Sequence, residues 1–220
     1  MDQSYLYRFG LSINNLGHLL QDRGYNVTTV DATNATSAAT NAATGSIFTD
    51  DPFKTMGRIY AIAKSKQCSL GEAVRSTFLH SSRPTLSIWC LDRNYDSVRQ
   101  RDRMISTEQV KYLCDVMNSE NTNIVLSPNK LSPQARKEMP KHAELFLFED
   151  LFIDLPRHVL CVEHQVITLE KLRSVLGETM QSSDLPVLLP TDPMVRWYGW
   201  AAGTIVFLKN PVMNSFRCVI

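Results

Sequence analysis

Apolar side chains recur every three or four residues over 5–21, at Leu6, Phe9, Ile13, Leu16 and Leu20. That spacing lines one face of an amphipathic helix, with Gly24 marking its stop. The next stretch, DATNATSAATNAATG at 31–45, contains no large apolar residue and so cannot help bury a core. It is expected to be a mobile surface insertion. Helical spacing resumes over 55–78, with Met56, Ile59, Ile62 and Ala63 on one stripe, followed by Leu70, Ala73, Val74 and Phe78. TLSIWCL at 85–91 is short, apolar and follows Pro84, which predicts a buried strand. RNYDSVRQRDRM interleaves Arg93, Arg99, Arg101 and Arg103 with Asp96 and Asp102. Its charges partly cancel, so a solvated loop or a helix start is expected there.

Residues 106–117 predict a helix opened by Ser106 or Thr107, with Val110, Leu113, Val116 and Met117 as its apolar positions. A short strand over 123–126 precedes a turn at Pro128-Asn129. Ser132 then suits an N-cap and Pro133 the first helical position. AELFLFED, after Pro140, predicts another strand. Strand, helix, strand, helix, strand is the rhythm of a small α/β domain. Beyond about residue 151 the pattern changes. LPRHVLCVEHQVI reads as extended, and a helix follows, capped at Thr168, with Leu169, Leu172, Val175 and Leu176 inward and Gly177 at its stop. TIVFL (204–208) and FRCVI (216–220) predict strands joined through NPVMN as a hairpin. The expected fold is α+β. An N-terminal α/β domain at 1–151 has a small mixed sheet flanked by helices, and a small α+β domain follows at 152–220.

Charge narrows the function. The net charge of +1, and six Lys/Arg against six Asp/Glu from Phe152 onward, argue against a chain that wraps nucleic acid by itself. The five cysteines, Cys68, Cys90, Cys114, Cys161 and Cys218, are scattered without a CxxC, so neither a disulfide framework nor a cysteine-rich zinc site is expected. Cys90 and Cys161 lie in apolar runs and are expected to be buried. With no apolar N-terminal segment and no run long enough to span a bilayer, the expectation is a reducing compartment, cytoplasm or nucleus, and no membrane. His158, Cys161 and His164 form H-x2-C-x2-H, but an extended chain would point the three groups to alternating faces. No metal and no cofactor is expected. The phosphate-loop, dinucleotide and nucleophile-elbow motifs are absent from the sequence, and no carboxylate pair stands out.

LPTDPMVRWYGWAAGTIVFL at 189–208 carries the strongest signal. Asp192 before Pro193 suits a helix start, Gly199 a helix stop and Gly203 a tight turn before a strand. Trp197, Tyr198 and Trp200 beside Arg196 have the composition of an interface centre. Base stacking fits less well, because Arg196 is the only nearby cation.

These residues carry a resemblance. Leu185-Pro186, Asp192-Pro193, VRWYG at 195–199, Gly203 before TIV, and the terminal aromatic-Arg-x-Val are similar to one known signature. It is the assembly domain of the fifth common subunit of eukaryotic nuclear RNA polymerases, a family with archaeal members. His158 and His164 fall where that family carries H-x-L-V-P-x-H, and DRGY at 22–25 and SPNKLSPQARKEM at 127–139 resemble its N-terminal part. The resemblance implies a noncatalytic polymerase subunit in the nucleus, or in the nucleolus if it serves polymerase I alone. Its C-terminal domain would dock on the largest subunit, among other polymerase subunits, through His158, His164, Asp192, Pro193, Arg196, Trp197, Tyr198, Gly199, Trp200, Gly203 and Arg217. Its N-terminal jaw domain would lie near downstream duplex DNA. Weak, nonspecific phosphate contacts would then come from the helix start at Ser132 and Pro133 with Lys130, Arg136, Lys137 and Lys141.

The chain departs from the family pattern in several places. KNPVMN replaces a longer basic loop, Val162 replaces a proline, and Val187 replaces an arginine. The tract at 31–45 is foreign to typical members. These departures suggest a divergent, lineage-specific paralogue. A free-standing nucleic-acid-binding or nuclease-like protein is the second reading, drawn from the α/β rhythm and the arginines at 93–103. An interaction adaptor outside transcription is the third.

Overall fold

The computed structural model describes residues 3–25, 47–49, 51–78, 86–117 and 121–220. The Asn/Ala/Thr tract at 31–45 lies outside them. The chain divides into two compact units, Met1–Phe152 and Ile153–Ile220.

In the first unit, α1 (Gln3–Asp22) buries Phe9, Ile13, Leu16 and Leu20, as its spacing predicts. The same buried face also carries polar groups that the periodicity leaves unexplained. Ser12 Oγ donates to the Phe148 carbonyl at 3.2 Å and Asn15 Nδ2 to the Leu151 carbonyl at 2.7 Å, which stitches α1 to a 3-10 turn at Phe148–Leu151. A buried amide or hydroxyl is tolerated when partnered in this way. At the helix end Arg23 makes a two-pronged pair with Glu144 (3.1 and 2.7 Å).

The helical pattern over 55–78 is two helices, α2 (Pro52–Lys66) and α3 (Leu70–Phe78). Asp51 caps α2 by accepting from the Phe53 amide at 2.9 Å, and Pro52 sits in the first turn. Gln67 ends it in the left-handed region at φ 53°, where a non-glycine residue is uncommon. α1 meets α2 closely enough that a Cβ on Gly10 would stand 2.3 Å from the Pro52 carbonyl oxygen. Gly10→Val is therefore expected to destabilise the chain by about 2–3 kcal/mol, seen as an earlier midpoint in chemical denaturation.

β1 (Leu86–Cys90), β4 (Thr122–Ser127) and β5 (Ala143–Leu147) form the sheet, with β4 central. Both pairings are parallel, so this sheet is parallel rather than mixed. A helix stands in each connection, α4 (Thr107–Val116) before β4 and α5 (Pro133–Glu138) before β5. Such crossovers bring successive strands back in the same direction. β4 is buried along nearly all its length, as expected for a strand covered on both faces. Trp89, Leu91, Val110, Leu113, Val125 and Ala135 pack together beneath α4 and α5. Ser106 caps α4 with a reciprocal Gln109 contact.

The arginine-rich segment is neither a plain loop nor a helix start. It is a hairpin of β2 (Tyr95–Asp96) and β3 (Arg101–Asp102). The buried Asp96 carboxylate accepts from the Val98 and Arg99 amides at 3.1 Å each and from the Arg103 guanidinium. The Arg99 amide, then Arg103, hold the Asp96 carboxyl below its ordinary range. Because the folded value is depressed, its stabilisation is present above about pH 4 and is lost as pH falls through the folded value. Thermal midpoints measured from neutral to acid pH should show this loss, and Asp96→Asn should lower the neutral midpoint and flatten the acid limb.

The second unit is built on a four-stranded sheet in the order β6-β8-β9-β7. The strands are β6 (Glu163–Ile167), β7 (Val187–Leu188), β8 (Ile205–Lys209) and β9 (Ser215–Val219). Alternation along β8 and β9 sends side chains to two faces. Ile205 and Cys218 pack on one face with Leu172 of α6 (Leu169–Leu176). Val206 and Val219 pack on the other with Val195 of α7 (Pro193–Tyr198). Each helix thus covers its own face. Leu172 alone of the predicted α6 stripe is fully buried, and Val175 and Leu176 are exposed. The segment before β6 is also less extended than expected, with turns over 155–160. None of the described helices is long and apolar enough to cross a membrane.

Candidate interface of the C-terminal unit

α7 is built by local chemistry. Asp192 accepts from the Met194 amide at 2.8 Å, Pro193 presets the first turn, and Gly199 closes the helix at φ 65°. Gly203, at φ 86°, turns the chain into β8, and its amide donates to the Val219 carbonyl at 2.8 Å. Six residues of helix on a sheet face point some side chains in and the rest out. Met194, Val195 and Trp197 point in. Trp197 is only 1% exposed, so the ring expected at the docking surface belongs to the core.

Tyr198 and Trp200 are half-buried and stacked, with ring centroids 4.8 Å apart and planes 9° from parallel. His164, on edge strand β6, lies 6.1 Å from the Trp200 ring. His164 stands opposite Leu208, and Val166 opposite Val206, in the β6–β8 ladder. Residues directly opposite share a face, so both belong to the face that α7 covers, and Val166 is 56% exposed. Arg217 stands opposite Val206 on the same face, half-buried, and its guanidinium donates to the Val187 carbonyl at 3.4 Å. The structure therefore gathers Tyr198, Trp200, His164 and Arg217 on one sheet face, with Val166 as an apolar member that the sequence did not single out. Its signal was available, since Val166 lies two residues from His164 on a strand. Arg196 and Asp192 are half-buried, Pro193, Gly199 and Gly203 are exposed, and His158 sits in the exposed turn.

The His-Cys-His pattern does not converge. His158 Nδ1 accepts from the Leu160 amide at 3.2 Å, whereas His164 Nδ1 donates to the Val162 carbonyl at 2.7 Å. Cys161 is half-buried rather than buried, and its Sγ lies 3.9 Å from Met194 Sδ. Burial pushes its thiol pKa up, opposite to what a nucleophile requires. Among the described residues no group of three or more His, Cys, Asp and Glu is placed to hold a metal.

In the first unit the expected DNA-proximal cations are exposed. Lys130 lies 3.7 Å from Glu149, and Arg136, Lys137 and Lys141 stand in and just beyond α5. Ser132 already uses its hydroxyl to accept from the Ala135 amide at 3.2 Å, and Pro133 is exposed beside it. Glu138 and Glu149 moderate the positive field here.

Comparison with known proteins bears on the C-terminal unit. The family model described as RNA polymerase Rpb5, C-terminal domain, matches residues 153–216. Over its C-terminal unit the chain is similar to the Rpb5 family. Subunit RPABC1 of DNA-directed RNA polymerases I, II and III from Caenorhabditis elegans is 28% identical over 126 residues, covering 54% of this chain and 60% of the relative. Subunit 5B of polymerases IV and V from Arabidopsis thaliana is 32% identical over 116 residues, 48% of this chain and 53% of the relative. The Dictyostelium discoideum subunit rpabc1 is 25% identical over 163 residues, 67% of this chain and 82% of the relative. The chain thus spans roughly half to three-fifths of the first of these Rpb5 relatives.

Proposed function

We propose that the chain is a noncatalytic structural subunit of a multisubunit DNA-directed RNA polymerase in the nucleus. Its C-terminal unit docks on the largest subunit, and its N-terminal unit forms part of the lower jaw near downstream duplex DNA, which it touches weakly and without sequence preference. The observation that carries this reading is the Rpb5 C-terminal match, which falls on the compact unit whose α7 face presents Tyr198, Trp200, His164 and Arg217. Stacked aromatics with an adjacent arginine are favoured at interface centres, where they bury large area at low entropic cost. Docking runs through this face, with Trp197 supporting it from beneath and Asp192 and Gly199 fixing the helix ends. On the jaw, exposed cations at Lys130, Arg136, Lys137 and Lys141 suit phosphate contact, which positions a duplex without reading it.

A tagged chain, isolated from its own cells and analysed by mass spectrometry, tests the proposal. The two largest subunits of one RNA polymerase should accompany it at near-stoichiometric amounts, and their identity names the polymerase. Recovery of the chain alone, or with an assembly unrelated to transcription, would overturn it.

A further inference from the structure

The outer face of α2 is left exposed by the described residues of its unit and takes no part in the docking proposed above. Phe53, Gly57, Tyr60 and Lys64 follow one another at intervals of four, three and four residues. At about 100° per residue this spacing keeps all four on one narrow stripe, the seam by which one helix packs against another. Phe53 is 68% and Tyr60 55% exposed, and Gly57 and Lys64 are exposed between and beyond them. Tyr7 of α1, itself exposed, extends the patch, its ring 5.2 Å from that of Phe53. A Cβ placed on Gly57 would meet no atom within 4 Å, so the stripe has an open notch between two aromatic walls. Further along, Tyr60 and Lys64 form one side of a cleft of about 760 Å³ whose other walls include Tyr5, Leu70 and Tyr95.

Charge indicates what covers the stripe. α2 carries Lys54, Arg58, Lys64 and Lys66 and no carboxylate, in a chain whose net charge is only +1. We infer that this face receives an acidic amphipathic helix from a partner protein. One large apolar side chain enters the notch over Gly57 between Phe53 and Tyr60, and flanking carboxylates face Lys54 and Lys64. Helix-in-groove recognition reads such regularly spaced anchors, and the lysines set the sign of the partner's flanks. A single-stranded nucleic acid fits less well, because the cleft that continues the stripe is mostly apolar and bears the Asp92 carboxylate.

The test uses the full chain and a fluorescent synthetic helix with leucines at the same four-three-four spacing and glutamates on its flanks. Anisotropy should show saturable, salt-weakened binding. Gly57→Leu fills the notch and should weaken binding at least about tenfold. Leucine is a better helix former than glycine, so the thermal midpoint should not fall. Lys54→Glu with Lys64→Glu should shift preference to a lysine-flanked version of the peptide. Failure to bind the acidic peptide, or binding unchanged in Gly57→Leu, overturns the inference. So does displacement of the peptide by labelled oligothymidine at equal or lower concentration, which would assign the stripe to nucleic acid. Concentration-dependent dimerisation of the chain that Gly57→Leu abolishes would assign it to a second copy, and equally overturn it.

Discussion

Trp197→Ala should unfold the C-terminal unit at temperatures where the wild-type unit is fully native. The ring is 1% exposed and sits on the helix that covers one face of the β6-β8-β9-β7 sheet. Truncating a buried tryptophan costs about 3–5 kcal/mol from lost transfer energy and the cavity left behind. Small domains are marginal, with total stability of only about 5–15 kcal/mol, so the loss is a large share of the whole. Hydrogen exchange of the β8 and β9 amides isolates this unit from the other and is the measurement to make. Exchange at wild-type rates would show that the ring contributes little and that α7 is held by Val195 and Met194 instead. Trp197→Phe keeps most of the ring and should fall between the two.

Tyr198→Ala with Trp200→Ala should act differently, weakening copurification with the polymerase proposed above while leaving the chain folded. Their rings stack on each other and are half-buried, in contrast to the fully buried Trp197. Truncating an aromatic anchor at an interface centre costs about 2 kcal/mol or more, so the pair together should weaken association on the order of a thousandfold. Trp200 also touches the cluster of Leu188, Val195, Val206 and Val219, so its loss costs some stability. Tyr198→Ala alone separates the two effects and should weaken association with unaltered amide exchange. Quantitative copurification against a wild-type chain in the same cells reads the difference. Undiminished recovery of polymerase with the folded double variant would move the docking surface away from α7.

The contrast between Trp197 and its neighbours shows how far the sequence was legible. The ends of α7 follow from Asp192, Pro193 and Gly199, each acting within a few residues of itself. Ser106, Ser132 and Thr168 announce their helices in the same way, by side chains that accept the second or third backbone amide beyond them. Which ring points inward is not local information. It depends on the sheet face that α7 meets, assembled from β8 and β9 downstream, and an aromatic cluster alone does not encode it. The break between α2 and α3 was hidden for another reason. Gln67 takes up a left-handed conformation that glycine normally supplies, so no helix-stop residue marks it. Val175 and Leu176 satisfy helical spacing, but α6 covers its sheet face mainly through Leu172, leaving those two outside. The hairpin around Asp96 was missed because alternating charges read as solvated, whereas its carboxylate is buried by the amides and arginine that it gathers. The direction of the N-terminal sheet, by contrast, was available from the sequence. A helix between successive strands already implies parallel pairing, and the expectation of a mixed sheet passed over that signal.

If the α7 face of the C-terminal unit is where this chain joins a polymerase, a probe placed on that face must meet the polymerase. Site-specific photocrosslinking makes that measurement, with a photoreactive phenylalanine analogue in place of Tyr198 in the full chain expressed in its own cells. One dominant crosslink is expected, to the largest subunit of a DNA-directed RNA polymerase, and it should be absent when the analogue replaces exposed Val175 on the opposite face. A crosslink from position 198 to an unrelated protein, or none while position 175 gives the polymerase product, would contradict docking through α7.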